Sequence, residues 1–124
     1  DANSGALNYA KQHNNIFIHP FDDPKIIEGQ GTIGLEIIQQ TNSPIDYLFM
    51  PVGGGGLAAG VSQVFKTLSP QTKLIGIEPA GAPSMLTSLK NNYNTKLTSI
   101  DRFVDGAAVK KVGELTFSLC KSNE

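Results

Sequence analysis

The chain has 124 residues, 40% of them hydrophobic, with ten basic side chains against eleven acidic ones. That length suffices for one domain with a real core. The balanced charge removes any electrostatic case for a nucleic-acid or anionic-membrane partner, and no apolar run reaches the length of a membrane span. Cys120 is the only cysteine, so an internal disulfide is excluded and a cytosolic compartment is the expectation, or an organellar one if the source is a eukaryote. Cys120 itself reads as a small hydrophobe on a helix. The chain carries no signal-peptide pattern, and its lack of an initiating Met suggests a processed product.

In chain order, residues from about Ala2 to His13 form a weakly amphipathic helix. Ile16-Phe17-Ile18 is a short β-branched and aromatic run, ended by Pro20, and reads as a strand. Asp22-Asp23-Pro24 opens a helix, because Asp accepts from orphan N–H groups and Pro suits the first turn. Apolar positions Ile26, Ile27, Ile33, Ile37 and Ile38 follow helical spacing through Gln40. Gly29, Gly31 and Gly34 cost about 1 kcal/mol each inside that helix relative to Ala. Close packing against a neighbouring element is the expected compensation.

After a loop at Thr41-Asn42-Ser43-Pro44, the sequence predicts a strand over Tyr47–Val52 and a helix ending near Leu68. A second strand covers Lys73–Glu78, and Ser84 caps a helix from Met85 to about Lys90. Residues Leu97 to Val109 lack a clear period. Gly113 to Lys121 reads as helical, with Leu115, Phe117 and Leu119 as packing residues. Strands alternating with helices predict an α/β fold with a mostly parallel sheet, its nearly continuous apolar strands buried on both faces. Ligands of such sheets bind beyond the C-terminal ends of the strands. Both Gly53 and Glu78 lie at such ends.

Gly53-Gly54-Gly55-Gly56 separates the first of these strands from its helix. Each glycine raises the entropy lost on folding and adds no side-chain packing, so a run of four needs a reason. Amide groups at a helix N-terminus carry partial positive charge and lack intrahelical partners, and a chain without Cβ atoms lets a phosphate settle onto them. A phosphate-loop NTPase is excluded, since Gly56 is followed by Leu57 and Ala58 rather than Lys and Ser or Thr. A dinucleotide fingerprint is matched by Gly53, Gly55 and Ala58, with Glu78 where a ribose-binding acid would sit. A single phosphate held by the whole loop uses all four glycines and favours a one-phosphate cofactor. The oxidoreductase alternative stays open on these residues.

Several segments together resemble a known family. They are His19-Pro-Phe-Asp-Asp-Pro24, Glu28-Gly-Gln-Gly-Thr32, Pro51-Val-Gly-Gly-Gly-Gly-Leu-Ala-Ala-Gly60, Ile75-Gly-Ile-Glu-Pro79 and Phe103-Val-Asp-Gly-Ala-Ala-Val-Lys110. In order and spacing, over Asn15 to Asn123, they resemble the fold-type II pyridoxal-phosphate enzymes. Among these the threonine dehydratases (threonine deaminases) are nearest, with serine racemase and serine dehydratase as relatives. The Phe103–Lys110 segment and Gly113-Glu-Leu-Thr-Phe117 favour the biosynthetic type.

The resemblance implies a three-layer sandwich around a mostly parallel sheet, of which this chain is a fragment. Residues 1–14 would be the end of a small-domain helix or a linker, and residues 15–124 the central part of the large cofactor-binding domain. It implies pyridoxal 5′-phosphate as cofactor, with Gly53, Gly54, Gly55 and Gly56 binding its phosphate through backbone N–H groups. Gly106 would lie near the cofactor ring, where a side chain would collide. Glu78 and the Ala82 carbonyl match positions that bind a divalent cation in relatives such as serine racemase. Those relatives add an Asp where this chain has Ser84, which leaves at most a weak or monovalent cation site.

In the intact protein the implied reaction converts L-threonine, or L-serine in the related enzymes, to a keto acid and ammonia. The implied partners are the small-molecule substrate, the remainder of the same enzyme, and further copies in a homo-oligomer. The family's Schiff-base Lys lies in a Ser-x-Lys-x-Arg-Gly-type segment that this sequence does not contain. Lys11, Lys25, Lys66, Lys73, Lys90, Lys96, Lys110, Lys111 and Lys121 read as solvated charges. No catalytic residue is therefore assigned here, and the isolated chain is expected to be inactive. His13 and His19 read as surface or structural residues.

Overall fold

The computed structural model describes residues 2–123. Its elements are α1 (Ala2–Gln12), α2 (Pro24–Gln40), β1 (Tyr47–Pro51), α3 (Gly56–Leu68), β2 (Lys73–Ile77), α4 (Ser84–Asn91) and α5 (Glu114–Ser122). The two strands pair in parallel, with Tyr47 opposite Lys73 and Met50 opposite Gly76. β1, α3 and β2 thus form the βαβ unit that the alternation predicts, and the architecture is α/β with a parallel sheet. The polar stretch before α5 has no regular structure, as its missing period implies. It is tied down by Leu97 N–H to Lys110 O at 2.8 Å and Asp101 N–H to Gly81 O at 2.9 Å.

The core lies between the sheet and the helices. Met50 of β1 and Val52, just past its end, meet Ala58, Val61 and Phe65 of α3, with Met85, Val112 and Phe117 closing the cluster. α2 packs on α3 through small residues. A Cβ on Gly60 would lie 2.4 Å from the Ile27 carbonyl oxygen, and one on Gly34 would lie 3.2 Å from Val64 Cβ. Gly31 likewise faces the Gly60 carbonyl. The expected compensation for costly helix glycines therefore holds at Gly31 and Gly34. It fails at Gly29, where a Cβ would meet nothing within 4 Å.

Two other expectations are corrected. Ile16-Phe17-Ile18 is not a strand: Ile16 is 92% and Ile18 67% exposed, and among the described residues no strand pairs with the segment. β-branched residues favour strands only where a neighbour supplies ladder bonds and packing. Nor are the sheet strands buried on both faces. Side chains alternate across a strand, so Leu48 and Met50 turn to the core while Tyr47 and Phe49 stand 54% and 63% exposed.

Candidate functional site

The glycine run does connect a parallel strand to a helix N-terminus. Gly55 adopts φ +95°, the left-handed conformation that glycine tolerates, and caps α3. Its carbonyl accepts the Ala59 N–H at 2.8 Å. Among the described residues, no protein acceptor takes the backbone N–H groups of Gly53 to Ala58. They sit at the positive end of α3, where an anion is favoured.

Each glycine of the run is also pressed by a neighbour. A Cβ on Gly54 would lie 2.3 Å from the Phe21 ring, and one on Gly55 2.9 Å from Thr116 Cβ and 2.8 Å from Met85 Cε. One on Gly56 would lie 3.1 Å from Phe21 Cβ, and one on Gly53 3.2 Å from Ala107 Cα. Phe21 and Ala107 press on the run from the rim of the cleft it lines, and Met85 and Thr116 press on Gly55 from outside that lining.

The loop lines a cleft of about 420 Å³ together with Phe21, Pro51, Gly106 and Ala107. Gly106 is therefore brought to the loop across fifty residues of sequence. A Cβ there would find nothing within 4 Å, so the packing of the chain itself does not require glycine at this position. Unpartnered amides beside a cleft with room over Gly106 fit a phosphate-bearing cofactor.

Glu78 follows β2 and turns to α4. Its Oε1 accepts the Met85 N–H at 2.7 Å and its Oε2 the Leu86 N–H at 2.8 Å. This corrects the expectation that Ser84 caps the helix: α4 begins at Ser84 itself, and the carboxylate arriving from the strand end does the capping. Ala82 is fully buried, and its carbonyl accepts the Ser84 N–H at 3.0 Å. The Ser84 hydroxyl is buried and has no protein partner. No group of three or more His, Cys, Asp or Glu side chains that could hold a metal exists among the described residues.

The remaining side chains named from sequence occupy supporting places. Every Lys is exposed, and Lys111 pairs with Glu114 at 2.6 Å. That Lys111 bond, then the Asn94 amide, holds the Glu114 carboxyl below its ordinary pKa. His13 caps its own helix at the Tyr9 carbonyl. Burial, with a smaller contribution from the Glu78 charge, pushes the Cys120 thiol up to about 12. It stays a protonated, packed side chain, as read from sequence.

Sequence reasoning missed the support of the loop. Asp22 does not serve the helix that follows it, which Asp23 caps through Lys25 N–H at 2.8 Å. Instead Asp22 reaches α5, where Oδ2 accepts the Glu114 N–H at 2.9 Å and Oδ1 those of Leu115 at 2.9 Å and Thr116 at 3.1 Å. His19 Nδ1 in turn accepts the Asp22 N–H at 2.8 Å. The doubled Asp was the available signal, since one helix start needs one cap.

A parallel strand that runs through a glycine loop into a helix, with open amides at the turn, is the arrangement that favours an anion at the helix N-terminus. The chain belongs to the pyridoxal-phosphate dependent enzyme family, whose profile matches residues 1–124. The family uses pyridoxal 5′-phosphate, so the match favours that cofactor over the dinucleotide alternative.

The chain is 54% identical to the L-threonine dehydratase biosynthetic IlvA of Halalkalibacterium halodurans, over 121 residues covering 98% of this chain and 29% of that protein. Its fold is similar to the processed form of threonine deaminase isoform 2 from Solanum lycopersicum, with a TM-score of 0.92 and 50% identity over 95% of this chain and 34% of that one. The serine racemase of Dictyostelium discoideum is similar at a TM-score of 0.82 and 38% identity, over 98% of this chain and 38% of that one. The chain thus spans less than a third of the length of the curated relatives it matches. Among the described residues no helix is long and apolar enough to cross a membrane.

Proposed function

We propose that this chain supplies the cofactor phosphate-binding loop of a pyridoxal-phosphate-dependent L-threonine dehydratase, which converts threonine to 2-oxobutanoate and ammonia. The observation that carries this reading is the set of unpartnered N–H groups from Gly53 to Ala58 beside Gly106, in a chain 54% identical to a threonine dehydratase. When bound, the cofactor supplies an electron sink for charge developing at the substrate Cα. The chain's own contribution is binding and orientation. The amides of Gly53, Gly54, Gly55 and Gly56 hold the phosphate, assisted by the dipole of α3. Gly106 leaves room for the ring.

Residues 1–14 then end a small-domain helix or linker, and residues 15–124 are the central part of the large domain. The exposed apolar face at Tyr47, Phe49 and Ile77 supports reading residues 15–124 as part of a larger domain, because it offers the remainder of the enzyme a surface to cover. Glu78, the Ala82 carbonyl and the buried Ser84 hydroxyl hold at most a weak cation, since both Glu78 oxygens already accept helix N–H groups. The intact enzyme is a homo-oligomer without nucleic-acid or membrane partners, in keeping with the balanced charge.

The isolated chain does not turn over threonine, because all its Lys side chains are exposed and none faces the loop cleft. Residues 1–124 with added cofactor and L-threonine should give no 2-oxobutanoate beyond free cofactor. Specific turnover, with one Lys uniquely modified after borohydride reduction, would overturn this. In the intact protein, 2-oxobutanoate from threonine should form faster than pyruvate from serine. The reverse order would move the assignment to a serine dehydratase.

A further inference from the structure

The phosphate loop has a built-in brace on the side away from the cleft. The Thr116 hydroxyl donates to the Gly54 carbonyl at 2.7 Å, and the Gly113 N–H donates to the same oxygen at 3.2 Å. Thr116 is fully buried, and the Gly113 carbonyl, its other acceptor within reach, is farther at 3.2 Å. Both donors belong to the start of α5, and none of its residues lines the loop cleft.

A trans peptide is planar, so its C=O and N–H point in opposite directions. Among the described residues no peptide is cis. Turning the Gly54 carbonyl toward α5 therefore turns the Gly55 N–H of the same peptide away from it. Gly54 and Gly55 both line the cleft, and no residue of α5 does. Without the brace, a glycine–glycine peptide has little to stop it flipping, because glycine occupies both signs of φ. A flipped peptide would present a carbonyl dipole to an anion.

The brace is itself anchored. α5 begins without a side-chain bond from its own cap residue, Gly113. Asp22 replaces it from more than ninety residues away, with three N–H bonds. The fit is close: a Cβ on Gly113 would lie 2.1 Å from Asp22 Oδ1. Asp22 follows Phe21, whose ring lies against Gly54. One short segment thus sets both the loop and the helix that braces it.

We infer that Thr116, seated by Asp22, is a positioning residue that orients the Gly54–Gly55 peptide so that its N–H is presented to an anionic phosphate. This rests on the proposal that the loop binds the cofactor phosphate, and the test separates the two. In the intact protein carrying this chain, dissociation constants are measured for pyridoxal 5′-phosphate and for pyridoxal, which lacks the phosphate. Their ratio reports the phosphate contribution alone, and a general loss of stability weakens both ligands together.

Thr116→Val, near in volume, should reduce the ratio about tenfold, the scale of a hydrogen bond lost at a buried acceptor. Thr116→Ser should keep it within about twofold of wild type, because its hydroxyl still donates. If Thr116→Val fails to fold, Asp22→Asn serves, since it loosens α5 without touching Gly54, and it should lower the ratio several-fold. A wild-type ratio in whichever of these variants folds overturns the positioning role while leaving the phosphate loop standing. Equal affinities for the two ligands in the wild-type protein overturn the phosphate loop, and the positioning role with it.

Discussion

Adding one methyl group should have opposite effects at two helix glycines, Gly60 and Gly29. Alanine gains about 1 kcal/mol over glycine in a helix interior, from backbone entropy and shielding. At Gly29 nothing opposes that gain, because the new Cβ meets no atom within 4 Å. Gly29→Ala should therefore stabilise by close to the full amount. At Gly60 the same Cβ would lie 2.4 Å from Ile27 O, 2.7 Å from Gly31 N and 3.0 Å from the Gln30 carbonyl carbon. These are backbone atoms of α2, which cannot rotate aside as a side chain can.

Ordinary contact begins near 3.4 Å, so α2 and α3 must part by about 1 Å. Overpacking of this kind costs about 1–3 kcal/mol, and the separation also loosens the close contacts at Gly31 and Gly34, where dispersion is lost over the whole seam. The propensity gain offsets only part of this. Gly60→Ala should destabilise by about 1–2 kcal/mol net. Thermal melts followed by circular dichroism should show Gly29→Ala melting higher and Gly60→Ala lower than wild type, by roughly 4 °C per kcal/mol. A Gly60→Ala protein that melts at or above wild type would refute the packing argument, since propensity alone would then govern both sites.

Cys120 should react with iodoacetamide at neutral pH far more slowly than the same thiol in urea, because burial holds it protonated; equal rates would mean the side chain is accessible. Its raised pKa stabilises the fold below the unfolded thiol pKa, and that contribution should fade as pH rises from about 8.5 toward about 12. Wild type should accordingly lose more stability than Cys120→Ser over that alkaline range in denaturant titrations. Glu114 has the opposite sign: its depressed pKa stabilises above the unfolded carboxyl pKa and is lost as pH falls through the folded value. Glu114→Gln should flatten that part of the acid limb, and an unchanged limb would exclude the Lys111 pairing as its source. Calorimetric titration with magnesium, calcium or manganese should give at most weak heats, and tight stoichiometric binding would contradict the reading of Ser84 and of Glu78 as a helix cap.

Elements governed by neighbours in sequence were legible from the sequence itself. The Asp23-Pro24 start, the helical isoleucine spacing and the strand–glycine–helix passage act over a few residues, and α2, β1 and α3 follow from them. The candidate loop stood out for the same reason, since four consecutive glycines are costly to keep, but the packing of Phe21, Ala107 and Thr116 against them was not legible. The family resemblance lay in short motifs and their order.

Contacts between distant segments carry no such local mark. Ile16-Phe17-Ile18 has strand-forming residues, but strand formation needs a partner for its ladder, and only the tertiary arrangement decides whether one is present. The burial of Tyr47 and Phe49 depends on what covers their face of the sheet. Glu78 as the cap of α4, Asp22 as the cap of α5, and Thr116 at the Gly54 carbonyl each join residues that the fold brings together. A carboxylate or hydroxyl in a sequence shows that it can accept or donate a hydrogen bond; where that bond goes is set by the packing of the helices that carry its partners.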